Sequence, residues 1–231
     1  PINGSTGSLM INTTGHLVLL ENNQTVIWSA NSSKQANSQS PVLQLLDNGN
    51  LVLRDERDTN SGIYLWQSFD YPSDTLLPGM KLGWDLKTGL NRRVTEWKSP
   101  DDPSPGDFIW EMVLHNNPEP VMWKGSNEFL RSGPWNGVLF SGRPPKALPA
   151  LNFTFVSNED EVYMIFQMVN ESLLGRMIMN QTISFRQQWI WSQAEQNWTL
   201  YGSFPRDPCD SYGHCGGNGN CVLGSSPICQ C

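Results

Sequence analysis

All five cysteines of this 231-residue chain, Cys209, Cys215, Cys221, Cys229 and Cys231, lie at its C-terminal end, and no cysteine precedes Cys209. One compact disulfide module therefore follows a body that has to fold without bridges. Closely spaced cysteines persist as disulfides only where the environment is oxidising. The body also carries eight Asn-x-Ser/Thr sequons, at Asn3, Asn12, Asn23, Asn31, Asn152, Asn170, Asn180 and Asn197, none with proline in the middle position. Such acceptors are used only on chains that enter the secretory pathway. Together the two features predict an extracellular protein.

The length allows one or two bridge-free cores plus a small stapled module, and ten tryptophans and nine phenylalanines supply the apolar material. A formal charge of −7 and a pI near 4.9, with sparse and scattered lysine and arginine, argue against a nucleic-acid or acidic-lipid partner, because those surfaces need clustered cations. No run of about 18 apolar residues is present and no signal peptide precedes Pro1, so the chain reads as soluble as given. A secreted protein that starts at Pro1 and stops on an odd cysteine reads as a piece of something longer.

An internal repeat marks the first seventy or so residues. Gly15-His-Leu17-Val18-Leu19 followed by Trp28-Ser29 recurs as Gly49-Asn-Leu51-Val52-Leu53 followed by Trp66-Gln-Ser68. Each unit reads as a strand, a turn rich in Asn, Asp and Gly, and a second strand ending on a buried aromatic. Two copies do not easily close a symmetric core, which points to a third upstream of Pro1. Residues 65–83 and 97–107 are interrupted by prolines, which cannot donate to a central ladder, and both are read as connectors or boundaries. Strand signals occupy 108–114, 120–123, 151–156, 161–169, 173–179, 182–191 and 198–204. In 161–169 the alternation of Val162, Met164, Phe166 and Met168 with Tyr163, Ile165 and Gln167 is that of a core strand. No ten-residue window carries helical periodicity with caps, so the fold class is all-β.

The search for chemistry returns little. His16, His115 and His214 are far apart, and none stands at metal-ligand spacing from another histidine or a cysteine pair; in an oxidising compartment the cysteines pair with each other first, so no metal is expected. No nucleophile elbow, phosphate-cradling loop or zinc-protease motif is present. Gly216, Gly217 and Gly219 fall between Cys215 and Cys221, where a tight bridged loop needs positive φ. Adjacent acids at Asp101-Asp102 and Glu159-Asp160-Glu161 read as solvated loops rather than a glycosidase pair.

Residues 65–81 (Leu-Trp-Gln-Ser-Phe-Asp-Tyr-Pro-Ser-Asp-Thr-Leu-Leu-Pro-Gly-Met-Lys), 97–108, 131–142 and the closing 207–221 resemble plant S-locus glycoproteins and the ectodomains of G-type lectin S-receptor-like serine/threonine kinases. The resemblance covers essentially the whole chain. It implies a bulb-type lectin β-prism at 1–83, a second, lectin-like S-locus glycoprotein domain at 84–204, and the start of an epidermal-growth-factor-like module at 205–231. The cysteine spacing is similar to the first five of that six-cysteine module, which implies pairing of Cys209 with Cys221 and of Cys215 with Cys229, leaving Cys231 for a cysteine beyond the chain.

Mannose-binding bulb lectins use Gln-x-Asp-x-Asn-x-Val-x-Tyr. Aligned on Val52, this chain offers Leu46, Asn48, Asn50 and Arg54; aligned on Val18 it offers Asn12, Thr14, His16 and Leu20. Asn48 and Asn50 are thus what remains of an eroded sugar site, and a shallow site that depends on several hydrogen bonds does not keep useful affinity after losing most of them. The resemblance implies instead an extracellular recognition region, of a secreted glycoprotein or of a single-pass receptor kinase at the plasma membrane. Its ligand would be a small secreted cysteine-rich peptide or protein, as in recognition of pollen, with homodimerisation on binding; the alternative is a mannose-type lectin. The contact surfaces would be loops at 117–120, 142–149 and 157–161. The region itself would be no enzyme and need no cofactor; ATP and magnesium would belong to a kinase domain outside it.

Overall fold

The computed structural model describes residues 6–22, 24–30, 40–57, 64–142, 150–180 and 185–231. Asn3, Asn23 and Asn31, most of the 142–149 loop and the start of the 182–191 strand lie outside the described residues. Every regular element among the described residues is a strand or a single 3-10 turn, as the sequence predicts. The chain divides into two compact units, Pro1–Tyr71 and Pro72–Cys231.

The first unit is the sequence repeat made three-dimensional. Strands β1 (Gly7–Ile11), β2 (Leu17–Glu21) and β3 (Thr25–Ser29) form one antiparallel sheet, and β4 (Pro41–Leu45), β5 (Leu51–Asp55) and β6 (Trp66–Gln67) form another. The two turns close with the same hydrogen bonds. Asn12 N donates to His16 O and Gly15 N to Asn12 O; Leu46 N donates to Asn50 O and Gly49 N to Leu46 O. Gly15 and Gly49 take φ of 79° and 87°, a left-handed conformation that a side chain disfavours. Leu19 lies opposite Trp28, and Leu53 opposite Trp66. Leu17, Ala30, Leu53 and Trp66 form the core, flanked by Ile11, Leu43, Leu51 and Leu65.

The second unit contains three four-stranded antiparallel sheets. One is a meander of β10 (Val94–Ser99), β11 (Asp102–Val113), β12 (Glu119–Lys124) and β13 (Asn127–Arg131). The second runs in the order β14 (Leu151–Ser157), β15 (Glu161–Met168), β8 (Leu82–Asp85), β9 (Leu90–Arg92). The third runs β18 (Asn197–Phe204), β17 (Phe185–Ser192), β16 (Gly175–Asn180), β7 (Thr75–Leu76). Residues 72–83 thus contribute strands to this unit, because β7 pairs with β16 and β8 with β15.

Period-two alternation sets the inner faces. Phe108, Trp110 and Met112 of β11, Val162, Met164, Phe166 and Met168 of β15, and Met177 and Met179 of β16 are all buried, each worth about 1.5–3 kcal/mol of transfer free energy. Seven of the eight methionines, all but Met10, are buried here, since Met80 and Met122 join those named. Where β8 crosses β15, a Cβ on Gly83 would lie 2.2 Å from Val162 O, so only glycine fits. The Trp84 indole donates to Met112 O at 2.8 Å and ties two sheets together.

One expectation is corrected. Residues 97–107 are not a connector; they complete β10 and open the twelve-residue β11, with Pro103 and Pro105 inside a strand. The ladder explains why. β12 pairs with β11 only from Phe108 onward, and the β10 register is shifted twice along Trp97–Ser99. The prolines therefore sit where a missing N–H leaves no central ladder position empty.

A small β-ribbon, β19 (Asn220–Cys221) with β20 (Cys229–Gln230), closes the chain.

Candidate functional site

Three places hold the residues singled out by sequence. The first is the turn before β5. Asn48 is exposed, and its Oδ1 accepts from Asn50 N at 3.0 Å. Asn50 is only 4% exposed. Its Nδ2 donates to Gln67 Oε1 at 3.0 Å, and its Oδ1 accepts from Ser68 Oγ and Phe69 N, each at 3.2 Å. Ser68 Oγ in turn accepts from Leu51 N at 2.9 Å. The carboxamide thus binds its own chain, fastening the turn to the 3-10 turn Ser68–Asp70. Arg54, where the lectin motif has tyrosine, donates from Nε to Gln44 Oε1 at 2.9 Å. In the first repeat Asn12 Oδ1 accepts from Thr14 N, Thr14 Oγ1 and His16 N, an arrangement that shapes the turn. The residues at the two motif positions hold backbone in place.

The second place is the terminal module. Cys209 is bonded to Cys221 and Cys215 to Cys229, and Cys231 is an exposed free cysteine. His214 lies close to Cys215 and Cys221, but both sulfurs are committed to disulfides and offer no thiolate to a cation. Asp207 caps the 3-10 turn Pro208–Asp210 by accepting from Cys209 N at 2.8 Å. Arg206 grips Asp210 through Nε and Nη2 and holds its carboxyl below the usual carboxylate range. A Cβ on Gly219 would stand 2.3 Å from Cys215 O, so the bridged loop requires glycine there. Tyr212 N donates to Phe129 O at 2.8 Å, which seats the module on β13.

The third place is a cleft beside the turn that joins β11 to β12. A cavity of about 590 Å³ is lined by Leu114, His115, Asn116, Asn117, Glu119, Arg131 and Pro134. Glu119 is 1% exposed, and its charge is met by the Arg131 guanidinium and by Gly133 N at 2.7 Å. This hydrogen-bonded pairing holds Arg131 above its ordinary pKa, and the Arg131 guanidinium also lies over the Tyr212 ring, 5.6 Å from its centroid. The contact loop expected at 117–120 therefore forms one wall of a concave surface. The opposing wall, Arg131 and Pro134, is brought in by the β12–β13 pairing, and although it opens the 131–142 segment of the resemblance, nothing in that segment announces a cleft. The loop at 157–161 is a tight turn in which Asn158 Oδ1 accepts from Asp160 N and Glu161 N, with Lys87 paired to Asp160 and Lys81 to Glu161.

A family model for the D-mannose binding lectin matches residues 1–98, and one for the S-locus glycoprotein domain matches residues 130–231. The chain is 44% identical over 234 residues to the S-locus-specific glycoprotein S6 of Brassica oleracea, with all of this chain and 53% of that protein aligned. It is 41% identical over 232 residues to the receptor-like serine/threonine-protein kinase SD1-8 of Arabidopsis thaliana, again over all of this chain but 27% of the relative. A G-type lectin S-receptor-like serine/threonine-protein kinase SRK of the same plant is 40% identical, with 27% of it covered. The chain spans about half the length of the glycoproteins and about a quarter of the kinases that it matches. No helix among the described residues is long and apolar enough to cross a membrane. By domain content and by similarity along its whole length, the chain belongs to the family of plant S-locus glycoproteins and G-type lectin S-receptor-like kinases.

Proposed function

We propose that this chain is the extracellular recognition region of a secreted S-locus-type glycoprotein or a receptor-like kinase, and that it binds a small secreted protein or peptide in cell–cell recognition of the kind that operates between pollen and pistil. The observation that carries the reading is the state of Asn50. Its carboxamide makes three internal hydrogen bonds and is 4% exposed, so a sugar hydroxyl would have to displace bonds that hold the β5 turn. The cleft at 114–134, by contrast, joins an exposed Leu114 to His115, Asn117 and a paired Glu119–Arg131. An apolar contact ringed by polar groups suits a peptide side chain. A charge of −7 favours encounter with a basic ligand. Any kinase activity, with its ATP and magnesium, belongs to a domain outside this region, as does any membrane anchor; dimerisation on ligand binding would pass the signal on.

The test is binding of the glycosylated chain to a mannan array and to a library of small cysteine-rich secreted peptides. Peptide binding without mannan binding, weakened by His115→Ala and Asn117→Ala, is the expected result. Mannose binding that disappears in Asn50→Ala while the fold persists would replace this reading with that of a working lectin.

A further inference from the structure

Long unpaired sheet edges invite pairing with another chain, and proteins commonly blunt them with charges, prolines or bulges. Seven edge strands of five or more residues occur among the described residues: β1, β3, β4, β10, β13, β14 and β18. Three are blunted by charge or proline. β4 begins with Pro41, β10 carries Glu96, Lys98 and two register shifts, and β13 carries Glu128 and Arg131. The other four, GSLMI, TVIWS, LNFTFVS and NWTLYGSF, contain no charge and no proline, although β3 and β18 each carry one register shift against their neighbour. They are rich in apolar and aromatic residues, and Leu9, Met10, Val26, Ile27, Trp28 and Leu200 are exposed on them.

The sequons follow the same division. β14 contains Asn152 and Thr154, and β18 contains Asn197 and Thr199, all four exposed. β1 ends immediately before Asn12, and Thr25, the first residue of β3, is the hydroxyl residue of the Asn23 sequon. No sequon lies on β4, β10 or β13. Every one of these edges that lacks charge and proline has a sequon on or beside it, and every edge that has them lacks one.

We propose that N-linked glycans on Asn152 and Asn197, with Asn12 beside β1, take the place of charged residues as guards of these sheet edges. This rests on the extracellular reading given above. The chemistry is ordinary sequon modification. Asn Nδ2 bonds to C1 of an oligosaccharide delivered by a lipid diphosphate donor; the amide loses one proton and the lipid diphosphate leaves. At Asn12 the reaction leaves Oδ1 free to keep its three turn hydrogen bonds. A bulky hydrated glycan standing next to an edge obstructs the approach of a second strand, as a charge does by its need for water.

The proposal is tested with the full chain secreted from plant cells, by peptide mass mapping of sequon occupancy and by light scattering across a concentration series. Relative to the wild-type chain, Thr154→Ala with Thr199→Ala removes both sequons and shifts the mass toward dimers and larger species. Thr154→Lys with Thr199→Lys also removes the sequons but returns a charge to the same two edges, and keeps the wild-type mass. Asn170→Gln, in the loop between β15 and β16, leaves the mass unchanged. The proposal falls if Asn152 and Asn197 are bare in the secreted chain, if the alanine pair keeps the wild-type mass, or if the lysine pair associates as the alanine pair does. Bare asparagines at all sequons would remove the extracellular reading too; occupancy elsewhere but not on the edges removes only this inference.

Discussion

The two units bury apolar clusters of very different size. The first gathers Leu17, Ala30, Leu53 and Trp66 into its core and leaves β3 exposed along its whole length. The second encloses Trp110, Phe166, Leu76, Leu82 and five fully buried methionines among three sheets, together with a buried Arg186 whose guanidinium lies over the Trp110 ring, 4.3 Å from its centroid. A repeat of hairpins with few buried side chains draws its definition from turn chemistry and backbone pairing. A three-sheet core draws it from packing, and there a lost volume is costly.

The largest expected effect tests that contrast directly. Trp110→Ala should lower the stability of the second unit toward the upper end of about 3–5 kcal/mol, whereas Trp66→Ala, whose ring meets the exposed Trp28 edge-on at 5.9 Å, should lower that of the first toward the lower end of that range. Equal losses, measured by denaturant titration and by hydrogen exchange in β11 and β5, would break the comparison. Next comes Gly83→Ala, with φ of +142° and no room for a Cβ, at about 3 kcal/mol and with exchange quickening in β8 and β15. Asn50→Ala should cost about 2 kcal/mol by orphaning Phe69 N and Ser68 Oγ. Its exchange signature is confined to the β5 turn and residues 67–69. If exchange there does not change, the turn is not held by that carboxamide.

The smallest effect is at the terminal module. Asp210→Asn should cost about 0.5–1 kcal/mol at pH 7, since the Arg206 partner is half in solvent. The Asp210 carboxyl titrates lower in the folded state than in the unfolded chain, so its contribution is complete above the unfolded carboxylate pKa and is lost as pH falls through the folded one. The difference between wild type and variant therefore closes below about pH 4. A difference that does not narrow as the pH falls would assign the effect to packing rather than charge.

What the sequence discloses depends on how local each cause is. The repeat is legible because Gly15 and Gly49 each answer to a φ within their own turn, and β15 is legible because its alternation is uninterrupted. β8, β9 and β13 are too short and too mixed to announce themselves; each is a strand because a neighbour pairs with it. β11 hides behind Pro103 and Pro105, whose harmlessness depends on where β12 begins. The inward turn of Asn50 depends on Gln67, Ser68 and Phe69, seventeen to nineteen residues away. The cleft is half legible: a turn at Asn116-Asn117-Pro118 is visible in the sequence, while Arg131 and Pro134 arrive by pairing.

The distribution of thioethers gives the molecule an internal clock for opening. Met10 is 46% exposed, and the other seven methionines are enclosed in the second unit. Peroxide reaches a thioether only where solvent does, and each sulfoxide adds one oxygen and makes an apolar side chain polar. With the exposed Cys231 thiol blocked beforehand, peroxide treatment of the folded chain should therefore add a single oxygen quickly, at Met10. Further additions wait on the second unit's opening, and each then hinders its closing again. Under an oxidative burst outside the cell, this core would be lost in steps that a mass spectrum can count.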